Sequence, residues 1–137
     1  MNLSTTQPRI AAVTHQPVLN KPVFVAALAI FGAFNLLAGI INLVTAIILF
    51  TNASIPSLAS TTLTDAAYKL SLGALIIASS SAFKKGRFLC VWLYAGSLIL
   101  DSFYNLITGY PLNYLFVAFG LLLIWQISKY RNELNLA

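Results

Sequence analysis

One carboxylate, Asp101, lies well inside a long apolar stretch, nearer to its C-terminal end, and is the first residue to consider for chemistry. If that stretch crosses a membrane, an acid at the centre of the span costs about 2.5–3.5 kcal/mol on insertion scales and an acid off the centre costs less, and such acids often mark proton or ion pathways. Lys69, in the preceding apolar stretch, is a candidate ion-pair partner, although it could instead reach Asp65, four residues earlier. Two roles stay open for Asp101, a structural contact and a coupling site for a proton or cation, and the sequence favours the structural contact.

Small and polar residues recur at alternating spacings of three and four in three apolar stretches, which places them on one face of each helix. The residues are Gly32, Asn35, Gly39, Asn42 and Ala46 in the first, Ala67, Ser71, Ala74, Ala78 and Ala82 in the second, and Cys90, Tyr94, Ser97, Asp101 and Tyr104 in the third. Helices in lipid associate through close approach of small residues and through hydrogen bonds between polar ones.

These faces are therefore predicted to form the interior of a helix bundle, with small residues at the helix contacts and polar residues around Asp101. The predicted contact positions are Gly32, Gly39, Ala74 and Ala78, and the predicted polar neighbours of Asp101 are Lys69, Asn35, Asn42 and Tyr104. A substrate path lined by the same residues is the alternative interpretation. The stripe in the first stretch could equally form the seam of a homodimer.

Metal, haem and dithiol chemistry find no support in the sequence. The single histidine, His15, lies in the polar N-terminal region, and the single cysteine, Cys90, cannot form an intramolecular disulfide. The serine run at 79–81 has no histidine or carboxylate near it in the chain to act as a base. We therefore expect no cofactor, no metal and no catalytic residue, and a membrane enzyme acting on a lipid is only the third hypothesis.

The composition indicates the environment in which these residues lie. Of 137 residues, 59% are hydrophobic and 8% are charged, whereas a soluble domain carries about 25% charged residues. Four apolar stretches stand out, at about 22–50, 66–83, 88–108 and 111–130. Each approaches or exceeds the ~20 residues that a helix needs to cross a ~30 Å hydrocarbon core. The predicted fold is all-α: a multi-pass membrane protein whose four transmembrane helices pack as an antiparallel bundle.

The basic residues predict how these helices are oriented. All of them except Lys69 fall before the first stretch, between the second and third, or after the fourth, and with four spans these regions share one side. Basic residues accumulate on the cytoplasmic side of membrane proteins. Both termini are therefore predicted to be cytoplasmic, with polar tails at 1–21 and 131–137. Orientation also accounts for the formal net charge of +5, so nucleic acid is not expected as a partner.

These features predict environment and topology more closely than activity. The leading expectation is a non-enzymatic accessory, assembly or interaction subunit, which associates with itself or with a larger membrane complex. The alternative is a small oligomeric transporter or channel that is coupled to a proton or cation through Asp101. In either case the expected partners are the lipid bilayer and other membrane helices.

Overall fold

The computed structural model describes residues 20–52 and 56–137, and all regular structure in these ranges is helical. The four helices are α1 (Lys21–Thr51), α2 (Pro56–Lys84), α3 (Leu89–Thr108) and α4 (Tyr114–Lys129). The predicted all-α fold with four helices is thus confirmed. By length and composition α1, α2 and α3 are long and apolar enough to cross a membrane, whereas α4 has 16 residues. A crossing by α4 stays a prediction.

The second helix begins ten residues earlier than predicted, at Pro56 rather than at 66. The part of the chain between the first two predicted stretches is rich in serine and threonine, which compete with helical hydrogen bonding and favour turns. In the structure these hydroxyls bond back onto their own helix: Thr61 donates to the Ser57 carbonyl at 3.0 Å and Thr62 to the Leu58 carbonyl at 2.8 Å. Proline fits a first helical turn because it needs no amide partner there. The segment is therefore helical.

The contact between α1 and α2 is built on glycine. Gly32 and Gly39 of α1 are buried, and an added Cβ on Gly32 would lie 3.1 Å from the Gly73 carbonyl oxygen of α2. Ser80 of α2 donates to the Val25 carbonyl of α1 at 2.8 Å. The backbones of the two helices therefore approach closely, as membrane helices do where small residues meet.

The small residues predicted at this contact from the second stretch are not the ones that form it. Ala74 and Ala78 are exposed in the single chain, and Gly73 is buried in their place. Of the stripe of small residues predicted in α2, Ala67, Ser71, Ala74 and Ala78 face outward, and Ala82 is buried. The inward face is set by the close approach of Gly73 and by the polar contacts of α2 with α3, which the spacing of small residues does not reveal.

The remaining helices pack in chain order. Gly109, with φ of 73°, ends α3 in the left-handed conformation, and the side chain of Asn113 caps α4 by accepting from the Phe116 amide at 3.1 Å. This cap places the start of α4 three residues after the predicted Pro111. Gly120 of α4 is buried against the side chain of Leu98 of α3. Between α1 and α4 the rings of Phe31 and Phe116 are 6.0 Å apart.

The segment after α4, predicted as a polar tail at 131–137, packs against the end of the helices. Leu134 and Leu136 are buried in a cluster with Phe83 and Cys90. The Phe88 amide donates to the Ala137 carbonyl at 2.8 Å, and the Ala137 amide donates to the Gly86 carbonyl at 2.7 Å. Lys21 reaches the same segment, donating to the Leu134 carbonyl at 3.2 Å. This segment therefore closes the end of the structure at which α1 begins and α2 ends.

Candidate functional site

Four side chains join α2 to α3 in a reciprocal arrangement, here named the carboxylate–tyrosine cluster: Asp65 and Tyr68 of α2 with Asp101 and Tyr104 of α3. The Tyr68 hydroxyl donates to Oδ1 of Asp101, and the Tyr104 hydroxyl donates to Oδ1 of Asp65. The two tyrosine rings stack between these bonds, with centroids 3.9 Å apart and an interplanar angle of 5°. Each helix thus supplies one acceptor and one donor to the other.

The reciprocity follows from sequence and helix direction together. Each helix carries an aspartate followed three residues later by a tyrosine, a spacing that puts both side chains on one helix face. Tyr68 follows Asp65 by three residues in α2, whereas its partner Asp101 precedes Tyr104, the partner of Asp65, by three residues in α3. The helices are therefore antiparallel in this register. The same register continues to the far end, where the Ser79 hydroxyl donates to the Cys90 carbonyl at 2.8 Å.

In the structure, the partners of Asp101 are uncharged donors and not the lysine considered as its ion-pair partner. Tyr68 and Asn105 are the donors to Asp101, with Asn105 Nδ2 at 3.3 Å from Oδ2. Lys69 is not among the partners that the described residues provide to either carboxylate. Because α2 begins at Pro56, Asp65 lies inside this helix and not in its first turn, and it accepts from Tyr104.

Tyr68 and Asn105 were not among the predicted partners of Asp101, although the sequence contains a signal for Tyr68. The pattern Asp-x-x-Tyr-x-Leu-x-x-Gly occurs at 65–73 and again at 101–109. A repeated acid–tyrosine spacing in two neighbouring apolar stretches indicates a crosswise pairing, since antiparallel helices bring each aspartate to the other helix's tyrosine.

The cluster places two carboxylates among uncharged donors. Hydrogen bonds to a charged acceptor are stronger than neutral ones, and the phenol and amide groups here stabilise the carboxylates without neutralising them. In membrane proteins, a hydrogen bond between helices contributes about 0.6 kcal/mol on average and up to about 1.7 kcal/mol. Two such bonds and a ring stack make the cluster the principal polar connection between α2 and α3.

A pocket of about 430 Å³, here named the Asp101 pocket, lies beside the cluster. Side chains from all four helices and from the α3–α4 link form its wall: Phe31, Asn35, Tyr68, Leu72, Asp101, Asn105, Tyr110, Pro111, Asn113 and Phe116. Asp101 is seven residues before the end of α3, hence about 10 Å along the helix from that end. The pocket therefore lies in the half of the structure nearer the α3–α4 link.

The other predicted polar residues divide between the pocket and its surroundings. Asn35 is in the pocket wall, and its Nδ2 donates to the Phe31 carbonyl of its own helix at 2.9 Å. Tyr104 binds Asp65 and is not in the wall, and Asn42 is half-buried two turns farther along α1. Of the predicted polar set, the structure therefore brings Asn35 and Asp101 into one pocket.

Within the described residues, no group of three or more histidine, cysteine or acidic side chains could hold a metal ion. Searches against protein-family models, curated proteins and solved structures find no match for this chain. Its function is therefore inferred from the geometry and chemistry of the helices themselves.

Proposed function

We propose that this protein is a small multi-pass membrane protein that works as a non-enzymatic assembly or interaction subunit, and that the outer face of α2 binds a partner transmembrane helix. This outer face comprises the exposed residues Ala67, Ser71, Ala74 and Ala78. The observation that carries the proposal is the difference between this face and the exposed faces of the other helices.

The other helices expose large apolar side chains, as lipid contact requires. On α1 these include Phe34, which is 70% exposed, and on α4 Leu115, which is 84% exposed. The structure describes the whole of α2, and between Leu63 and the end of this helix no large hydrophobic residue is exposed. A face of alanine and serine offers lipid little contact area, whereas small residues at this spacing let a second helix approach to backbone distance.

The partner proposed for this face is a second copy of the chain or a helix of a larger membrane complex. Cross-linking in native membranes distinguishes these partners when Cys90, which is buried, is first replaced by alanine. Ala74→Cys in that background should form disulfide-linked dimers if the partner is a second copy. The matched control is Ala33→Cys, because Ala33 is an exposed alanine on α1. Equal cross-linking at the two positions would reject the assignment of the face.

Disulfide cross-linking does not detect a partner helix that lacks a cysteine, so a second measurement is needed for that case. Ala74→Leu adds bulk to the outer face of α2 and should reduce the mass of the native complex, as measured by native electrophoresis in mild detergent. Ala33→Leu adds the same bulk to α1 and should leave that mass unchanged. A wild-type protein that runs as a monomer, with neither variant altering it, would contradict an assembly role.

We further propose the predicted orientation, with both termini on the cytoplasmic side. Its support is that Lys21, Lys84 and Arg131 belong to the same end of the structure, where the Arg131 guanidinium lies 4.4 Å from the centre of the Phe88 ring. Labelling of intact cells by a membrane-impermeant maleimide tests it. In the Cys90→Ala background Tyr110→Cys should react and Lys85→Cys should not; the reverse pattern would invert the topology.

The second candidate function is proton- or cation-coupled transport through Asp101. One observation favours it: all four helices contribute to the pocket in which this carboxylate lies. Purified protein in liposomes that contain a pH-sensitive dye should then carry protons, and Asp101→Asn should abolish the flux. Asp65→Asn is the matched control, since Asp65 belongs to the same cluster but not to the pocket wall. Unchanged flux in Asp101→Asn would exclude this function.

A further inference from the structure

We propose that the Asp101 pocket binds a small organic ammonium ion, with Asp101 as its counter-ion and the surrounding aromatic rings as a cage. The proposal deepens the second candidate function, coupled transport, by naming a class of solute. It concerns binding, so it is tested separately from transport and from assembly.

The charge of the pocket is the first argument. Its wall holds one carboxylate and three asparagine side chains. Among the residues that the structure describes, no lysine or arginine belongs to this wall. The two donors to Asp101 are Tyr68 and Asn105, which are both uncharged. A carboxylate has about four lone-pair sites, of which these two donors use two. The Asp101 carboxyl group therefore has spare acceptor capacity for a cation, and no basic side chain of the wall competes for it.

The aromatic composition of the wall is the second argument. Four aromatic side chains from different parts of the fold line the same pocket as the acid: Phe31 from α1, Tyr68 from α2, Tyr110 from the α3–α4 link and Phe116 from α4. Aromatic faces attract cations, and cages of this kind recognise quaternary and methylated ammonium groups. A carboxylate combined with several rings matches an organic ammonium ion on both its charge and its apolar surface.

The size and polarity of the pocket argue against a bare metal ion as the ligand. Its volume of about 430 Å³ falls in the range of roughly 300–1,000 Å³ typical of small-molecule sites. A hard cation such as Ca²⁺ takes about 6–8 oxygen ligands. Here the Asn113 side-chain oxygen already accepts from the Phe116 amide, and much of the wall is apolar. An organic cation needs fewer oxygens because the rings contribute to its binding.

A route to the pocket exists at the α3–α4 link. Tyr110 is 63% exposed and Pro111 is exposed, and both belong to the wall. An ammonium group can arrive as a free solute or as the headgroup of a lipid, because the same chemistry occurs in both. The experiment therefore compares two lipid compositions.

The test measures binding of radiolabelled tetramethylammonium to the full chain in nanodiscs made of phosphatidylglycerol, which has no ammonium group. We expect saturable binding that Asp101→Asn weakens at least about tenfold, because it removes the half-buried carboxylate that pairs with the cation. Asp65→Asn should stay within about threefold of wild type, because its carboxylate is outside the wall. Weaker binding in phosphatidylcholine nanodiscs would identify the lipid headgroup as the occupant; equal binding in both lipids would identify a free solute.

A second pair of variants keeps the test valid if Asp101→Asn does not fold. Tyr110→Phe retains the ring and should bind as wild type does, whereas Tyr110→Leu removes it and should weaken binding about threefold to tenfold. The proposal is overturned if tetramethylammonium does not bind saturably, if the two Tyr110 variants are alike, or if sodium competes as well as tetramethylammonium. Binding without proton flux would keep the ammonium site and reject proton-coupled transport.

Discussion

Replacing Gly73 by alanine should separate α1 from α2, because the added methyl group has no space. Its Cβ would lie 2.8 Å from the carbonyl oxygen of Gly32 and 2.8 Å from the amide nitrogen of Leu36, both in the backbone of α1. Ordinary contact begins at 3.4 Å, so the α1 backbone must retreat by about 0.6 Å, the difference between 3.4 and 2.8 Å. A side chain could rotate aside, but a helix backbone cannot.

The expected loss of stability follows from this displacement. Inserting a methyl group into a packed interior costs typically about 1–3 kcal/mol, and a rigid neighbour on both sides puts Gly73→Ala near the middle or upper end. Alanine has a helix propensity about 1 kcal/mol better than glycine. That gain contributes little to the free energy of unfolding, because membrane proteins keep their helices when they unfold in detergent and alanine therefore favours the folded and the unfolded states alike. We expect a net loss of about 2 kcal/mol, which is roughly 30-fold in the unfolding equilibrium.

Gly96→Ala is the matched control for this prediction. Gly96 lies in α3, and an added Cβ there would meet nothing within 4 Å. Both variants are unfolded reversibly by titrating dodecyl sulfate into dodecylmaltoside micelles, with tryptophan fluorescence as the readout. Gly96→Ala should unfold at the wild-type dodecyl sulfate fraction and Gly73→Ala at a clearly lower one. Free energies of unfolding of the two variants that agree to within about 0.5 kcal/mol, the range of ordinary surface substitutions, would refute the close contact of α1 and α2.

Three further predictions use the same preparation. Gly86→Ala should cost about 1–2 kcal/mol, because Gly86 has φ of 69° and its Cβ would lie 2.8 Å from the Asn135 carbonyl oxygen; an unchanged midpoint would contradict this strain. Tyr104→Phe should cost about 0.6–1.7 kcal/mol, and a double-mutant cycle with Asp65→Asn should show that the two losses are not additive, whereas additive losses would reject the bond. Cys90 is 2% exposed, so its thiol should react with a maleimide only after unfolding, and rapid labelling of the folded protein would contradict its burial.

The limits of α1 and α3 could be predicted from the sequence to within one residue because each is a mainly apolar run with polar or turn residues at both ends. The start of α2 could not, since its first two turns are rich in serine and threonine. Those residues favour loops in water, but their hydroxyls can bond to carbonyls one turn back in a helix, as those of Thr61 and Thr62 do. Composition alone does not separate these two outcomes.

For the candidate site, the sequence identified Asp101 but not its partners. Lys69 was considered as an ion-pair partner of either Asp101 or Asp65, whereas the structure provides Tyr68 and Asn105 as donors to Asp101. Which donor reaches the acid depends on the register between α2 and α3, and that register is a property of packing. The repeated Asp-x-x-Tyr spacing at 65–68 and 101–104 contains the information needed, but only once the two helices are taken to be antiparallel neighbours.

The three sides of α2 explain why assembly and ligand binding can be separated by mutation. One side approaches α1 at Gly73, a second meets α3 through Asp65 and Tyr68, and the third carries the exposed Ala74 and Ala78. The Asp101 pocket takes its α2 contribution from the second side, at Tyr68 and Leu72. A helix bound to the third side would therefore complete the burial of α2 without covering the pocket. Ala74→Leu should then disrupt the complex while tetramethylammonium binding persists. Asp101→Asn should weaken tetramethylammonium binding while the complex stays intact.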